Sequence, residues 1–349
     1  MKSINFITTF RPLYLISIFC GFLFFTINFD NFTAKISPWN FLTLFIVTAV
    51  NIAMSFSYWF VTFFFDGFKV EITQKSMPWL ICLDHLTQIF AIFWFLKNRG
   101  NFVKFLKTIV EIDENLLEFG VKIDHNLRKK KLIKIMIGIF FYIIGFHIYT
   151  LFTQSYSIPL MAFSIWIYLV WIISISHFVL AAVTIGQRFE FLNSCIENNF
   201  KEIKKCSKIH LKIAESVKTF NKIFGPPMMF FFASLFAFNC VTAFTLIVIP
   251  KYDWSKITTL IQISITITFT FFELVITIYA AEKISNAKTK AIEILYKNLN
   301  NQNENQAEVM NLVSQISHTN VSLGCKFFDF NSKFLFQVRN FSVCVDEIA

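Results

Sequence analysis

Long stretches of this chain carry no charge, and they alternate with stretches where charge is dense. From Phe41 to Phe65 there is no Asp, Glu, Lys or Arg, and Phe, Val, Leu, Ile and Trp dominate. Met77–Leu96 is apolar with one acid, Asp84, while Ile135–Gln187 and Ile223–Pro250 carry no formal charge and Ile257–Tyr279 carries only Glu273. A helix rises ~1.5 Å per residue and the hydrocarbon core of a bilayer is ~30 Å thick, so about 20 apolar residues cross it. Ile135–Gln187 is long enough to cross twice, with Gln154–Pro159 as the turn between. The pattern predicts six membrane-spanning helices, over 41–65, 77–96, 133–152, 159–184, 226–250 and 257–279. The expected fold class is an all-α polytopic membrane protein, because lipid forces each backbone amide into an internal hydrogen bond. A further apolar segment, 13–29, is short and interrupted by Gly21. It reads as a span, a re-entrant helix or a signal peptide, although Asn28-Phe29-Asp30-Asn31-Phe32 offers no small-residue cleavage site.

The charged segments are helical too. Apolar residues recur three or four apart in Phe102, Phe105, Leu106, Ile109, Ile112, Leu116 and Phe119. The same spacing runs from Phe189 through Leu192, Ile196, Phe200, Ile203, Cys206, Ile213 and Val217 to Phe220, and again through Ile284, Ala287, Ala291, Leu295 and Leu299. Such stripes are buried against another element. One reading lays them on an anionic leaflet. The other packs them together beyond the spans, and the acids mixed with Lys on their opposite faces favour it. Asn298–Asn305 is polar low-complexity sequence and predicts an exposed loop.

Composition sharpens this. Of 349 residues 55% are hydrophobic and 15% charged, where a soluble domain averages about a quarter charged. Lys and Arg exceed Asp and Glu by 32 to 22, an excess that in a soluble chain would suggest nucleic acid. Its distribution removes that option. Segments 97–132, 185–225 and 280–349 hold nine, eight and seven basic residues, while the connections 66–76, 153–158 and 250–256 hold two, none and two. Basic loops stay in the cytoplasm, so these three segments and the carboxyl terminus are expected inside, with 28 of the 32 basic residues. No nucleic-acid partner is expected, and the lipid bilayer is. Asn31-Phe32-Thr33 fits a glycosylation sequon but faces the cytosol in this arrangement. An Asn31-dependent, glycosidase-sensitive mobility shift would place that loop outside and defeat the topology.

Candidate chemistry is sparse. No phosphate-cradling Gly-rich loop, His-Glu-x-x-His or Gly-x-Ser-x-Gly occurs, so neither an enzyme nor a cofactor is expected. The seven cysteines have no zinc-ligand spacing, and no metal is expected. Ionisable groups inside spans are costly and functional by default, which singles out Asp84, His85 and Glu273. Asp84, His85 and Gln88 enter from the outer face and His147 lies near the outer end of its span. These four are the candidate ligand-binding residues, in a pocket walled by Phe, Tyr and Trp. The competing reading is a helix–helix hydrogen bond, such as Asp84 with a neighbouring hydroxyl. Glu273 falls in the inner half and suits gating or packing, and His177 reads as packing.

The polar segments bring a family resemblance into view. Phe10-Arg11-Pro12-Leu13 with Gly21, Asn98-Arg99…Phe102 with Ile112-Asp113, and Arg188-Phe189-Glu190-Phe191-Leu192-Asn193 look like the opening and the first two cytoplasmic loops of insect gustatory receptors. Phe220-Asn221-Lys222-Ile223-Phe224-Gly225, Ala287–Leu295 and Gly324–Phe336 are similar to later parts of that family. The likeness covers nearly the whole chain, but the family's Thr-Tyr, five apolar residues and Gln-Phe of the last span are absent, and no spanning run follows Tyr279. A truncated final span is therefore the expectation. The resemblance implies a seven-span plasma-membrane receptor for small-molecule tastants. It implies a ligand-gated cation channel of taste neurons, assembled as a homo- or hetero-tetramer around a pore lined by the last span. A related odorant receptor subunit is the near alternative, and a membrane transporter the alternative from a different class, although no repeated halves are visible.

Overall fold

The structure, a computed structural model, describes residues 5–60, 72–121, 158–198, 202–248, 254–301 and 306–319, with scattered positions at 123–148 and 322–323. The expected span 133–152 and the turn before Pro159 fall largely outside the described residues, as does everything from residue 324.

Helix α1 (Asn5–Phe19) has 15 residues and is about 22 Å long, shorter than a hydrocarbon core. Gly21 stops it at φ 68. The Phe22 amide donates to the Ser17 carbonyl (2.8 Å) and the Gly21 amide to Ile18 (3.1 Å), the paired bonds of a Schellman cap. The chain then turns back through buried Leu23, Phe24 and Phe25 into a hairpin. There β1 (Thr26–Asn28) pairs antiparallel with β2 (Thr33–Lys35), Ile27 opposite Ala34. Tyr14 ties hairpin to helix, its hydroxyl accepting from the Ile27 amide at 2.7 Å. Segment 13–29 is thus a helix end, a turn and a strand, not one straight span. An αL residue with a Cβ costs about 1–2 kcal/mol, and a Cβ at Gly21 would also touch Val47 at 3.4 Å. Gly21→Ala is expected to lower the melting temperature of the detergent-solubilised chain by several degrees, and unchanged melting would contradict this cap.

Helix α2 (Pro38–Phe60) starts with Pro at its first position and Ser37 as cap, the Asn40 amide donating to Ser37 Oγ at 3.1 Å. Its exposed Phe41, Phe45, Ile52 and Phe56 suit a lipid-facing side. Helix α3 (Ile72–Lys97) is followed after Asn98 by α4 (Arg99–Glu118). A second Schellman cap at Gly120 (φ 78) ends α4.

The other helices among the described residues are three long ones and a short one: α5 (Ile158–Asn198), α6 (Ile203–Val248), α7 (Trp254–Asn301) and α8 (Gln306–His318). The long ones run to 41, 46 and 48 residues, about 60–70 Å and roughly twice a hydrocarbon core. Each therefore has an apolar half and a charged half that continues past it. Among the described residues, Tyr168–Asn198 and Ile203–Val241 are apolar enough over a spanning length. Helices α5 and α7 approach closely at Gly186, where a Cβ would meet the Lys283 side chain at 3.3 Å.

The stripes of the charged halves are buried against one another. Phe102, Phe105, Leu106, Ile109, Ile112 and Leu116 of α4 are core, as are Phe189, Leu192, Ile196, Ile213, Val217 and Phe220 of α5 and α6 and Ile284, Ala287, Ala291 and Leu295 of α7. They form a helical bundle beyond the apolar halves rather than a sheet of helices on a surface. Phe200 and Leu299 are outside the described side chains. Of the expected loop 298–305, the described residues 298–301 are helical, as the end of α7, and 302–305 lie outside the described residues.

Helix α6 continues through Pro226 and Pro227. Proline has no amide to give the carbonyl four residues back, which frees that of Lys222. The Trp94 indole of α3 donates to it at 3.2 Å, so the defect becomes a helix–helix contact.

Candidate functional site

The polar residues inside the apolar halves are joined pairwise across helices. Asp84 and His85 are neighbours on α3, and one residue turns a helix by about 100°, so they face different partners. Asp84 accepts a short hydrogen bond from Ser234 Oγ of α6. His85 Nδ1 lies 2.8 Å from Asn51 Oδ1 of α2, and both residues are buried. Asn51 Nδ2 already donates to the Val47 carbonyl at 2.8 Å, which leaves Oδ1 as acceptor and puts the imidazole proton on Nδ1. Gln88, fully buried one turn along α3, completes this polar strip. His147 lies outside the described residues.

Glu273 of α7 is nearly buried and accepts from the Trp171 indole of α5 at 3.2 Å. One turn earlier on α7, Thr270 Oγ1 donates to Asn239 Oδ1 of α6 at 3.0 Å. The candidates thus fall into two groups, α2–α3–α6 and α5–α6–α7, not one convergent constellation. His177 of α5 sits in an aromatic box of Phe10, Phe22 and Phe102, with Nδ1 donating to the Ile173 carbonyl (2.9 Å) and Nε2 facing Ser17 Oγ (3.3 Å).

A buried, two-pronged ion pair lies in the charged halves. Arg188 of α5, with no side-chain exposure, makes a two-pronged pair with Asp113 of α4. Nε lies 2.8 Å from Oδ1 and Nη2 2.7 Å from Oδ2. Nη1 donates to the Thr184 carbonyl (3.3 Å) and the guanidinium lies 5.5 Å from the Phe6 ring. His125 Nε2 stands 3.6 Å from Asp113 Oδ2, and the His125 carbonyl accepts from Thr9 of α1 at 3.1 Å. One buried pair therefore fixes α1, α4, α5 and the chain after α4. Both residues stand beside stripe positions and within the motifs Ile112-Asp113 and Arg188-Phe189 quoted above, but neither was singled out as a site residue. The available signal was an opposite charge beside a core position in each stripe.

Helix α8 is clamped by a second polar set. Gln315 receives Ser207 Oγ on Oε1 (2.6 Å), donates Nε2 to the Ser207 carbonyl (3.1 Å) and lies 2.9 Å from His210 Nδ1. Lys288 Nζ donates to the Thr319 carbonyl at 2.8 Å, a cation at a helix C-terminus. Burial first and the Lys288 charge second push His210 down to about 4. Its ordinary value is near 6.5, so the unfolded chain takes up a proton there that the folded one refuses. Stability is intact above about pH 6.5 and is lost as pH falls towards 4. Protection factors over 306–318, exchange rates corrected for the intrinsic pH dependence of amide exchange, are expected to fall between pH 7.5 and pH 5 in the native chain and much less in His210→Gln. An equal fall in both would contradict it.

These features define a mainly helical membrane protein whose long helices have an apolar and a charged half. The chain belongs to the 7tm chemosensory receptor family, whose family model matches residues 10–342. No curated protein sequence matches it significantly. Its fold is similar to that of the insect olfactory receptor OR5 from Machilis hrabei (TM-score 0.71, 10% identity, 97% of this chain and 96% of that one). It is also similar to OR5 in complex with eugenol (TM-score 0.56, 11% identity, 96% and 95%).

Proposed function

We propose that the chain is a gustatory receptor that senses small-molecule tastants, acts as or within a ligand-gated cation channel of the plasma membrane, and is not an enzyme. Membership in the chemosensory receptor family carries this reading. The gustatory-like segments named above favour taste over smell, and the eugenol bound by OR5 is of the size such a pocket takes. In this reading Asp84, His85, Gln88 and His147 supply the few polar groups of an outward-facing aromatic pocket, Glu273 serves gating or packing, and the charged halves lie in the cytoplasm. There they hold subunits of a homo- or hetero-tetramer together. The alternative, an odorant receptor subunit, shares the family and the fold.

Whole-cell recording separates these. The chain is expressed alone and with other receptor subunits, and challenged with sugars, bitter compounds and volatiles. Tastant-evoked cation currents reduced in His85→Ala are expected. Responses confined to volatiles would favour the odorant subunit, and silence of a surface-expressed chain in every combination would sink the channel reading. Substrate uptake without current would point to a transporter.

A further inference from the structure

A groove of about 620 Å³ lies between the hairpin and the start of α4, bordered by Phe32 and Thr33 on one side and by Lys97, Arg99, Lys104 and Lys107 on the other. Among the described residues, no acidic one lines it. Lys104 is partly neutralised by Glu215 of α6 at 2.7 Å, and Lys97, Arg99 and Lys107, which have no acidic partner among the described residues, converge on the same concavity. On the other face of the hairpin a second groove of about 760 Å³ carries Arg11 and Lys35 with one acid, Asp30. Phe32, held at φ 47, lines both.

The height of the first groove matters as much as its charge. Lys97 ends α3 and Pro38 begins α2, so both helices meet the bilayer boundary here. Trp39 is 76% exposed and Trp94 lies under the Lys97 ammonium at 5.7 Å, the aromatic placement of a membrane interface. Basic clusters just beyond a span attract anionic headgroups, and a pocket of this size holds a small ligand. A headgroup with one charge would leave most of these cations unmatched.

We propose that this groove binds a polyphosphorylated inositol headgroup, held by Lys97, Arg99 and Lys107. The site goes beyond the tastant reading and uses none of its residues. A membrane lipid and a free inositol phosphate share this chemistry.

The test uses the purified full-length chain in detergent, titrated with short-chain phosphatidylinositol bisphosphate and, separately, inositol trisphosphate. Each basic residue near an anionic surface contributes about fivefold. Lys97→Gln/Lys107→Gln is therefore expected to weaken binding about 25-fold and Lys107→Gln alone about fivefold. Lys290→Gln/Lys297→Gln, an equal charge loss on exposed positions of α7, should change it by less than about twofold. Tighter binding of the lipid than of inositol trisphosphate assigns the membrane as the source, and equal binding assigns a free inositol phosphate. Equal losses in both double variants, or equal competition by phosphatidylserine at matched charge, would overturn the site. Tastant currents measured on the same variants are independent, so failure here leaves the receptor reading standing and the reverse also holds.

Discussion

Arg188→Ala is expected to lose about 3–5 kcal/mol of stability, the usual cost of leaving a buried charge without its partner. The magnitude follows from where the pair sits. Arg188 has no exposure and Asp113 has 11%, so water cannot replace the missing guanidinium. Two parallel bonds at 2.7 and 2.8 Å are lost at once, together with the contact to Phe6 and the bond to Thr184. Typical domains are stable by only about 5–15 kcal/mol, so the variant should reach the cell surface poorly and melt far below the native chain in detergent. Asp113→Leu combined with Arg188→Met should recover most of the loss, because replacing both members of a buried pair by apolar groups is often neutral. Equal surface expression of native chain and Arg188→Ala would show that the pair contributes little. A double variant as damaged as the single one would show that the charges are needed for something other than mutual neutralisation.

That pair also marks how far the sequence could be read. The stripes from Phe102 to Leu116 and from Phe189 to Phe220 were legible because a period near 3.6 depends only on local order, and the fold buries them as expected. Arg188 and Asp113 stand 75 residues apart, and nothing local says that two oppositely charged residues beside separate stripes will meet. The partners of Asp84 and His85 were hidden for the same reason. Ser234 and Asn51 are ordinary residues of apolar helices until the packing brings them to α3. Segment 13–29 was legible as apolar but not as a turn, since Gly21 interrupts a hydrophobic run without revealing whether the chain continues or doubles back. The indole of Trp94 on the Lys222 carbonyl could have been suspected from Pro226 alone, which must orphan an acceptor, although not which donor would come.

Phe102→Ala should be the second severe substitution, at about 3–5 kcal/mol for a buried phenylalanine reduced to a methyl. Phe102 is 1% exposed and its ring centre lies 5.7 Å from Phe10, 5.9 Å from Phe25, 6.4 Å from Phe95, 6.1 Å from Phe224 and 6.2 Å from His177. These neighbours come from α1, the segment before the hairpin, α3, α6 and α5, so one ring on α4 is touched by nearly every element around it. Such a site cannot collapse easily, because each neighbour is itself held by a different helix, and the cavity term stays large. Phe102→Leu keeps most of the volume and should cost about half as much. The order native, Leu, Ala in thermal unfolding checks this packing. Near-equal melting of all three would mean that the aromatic cluster is loosely filled and that the bundle is held by its polar clamps. If the cluster is rigid, the excess of phenylalanine in this chain has a reason beyond lipid compatibility. Planar rings contacting edge to face let α1 and the hairpin return against α3, α4 and α5 over a mainly apolar surface, with Ser17 and His177 as a polar contact within it.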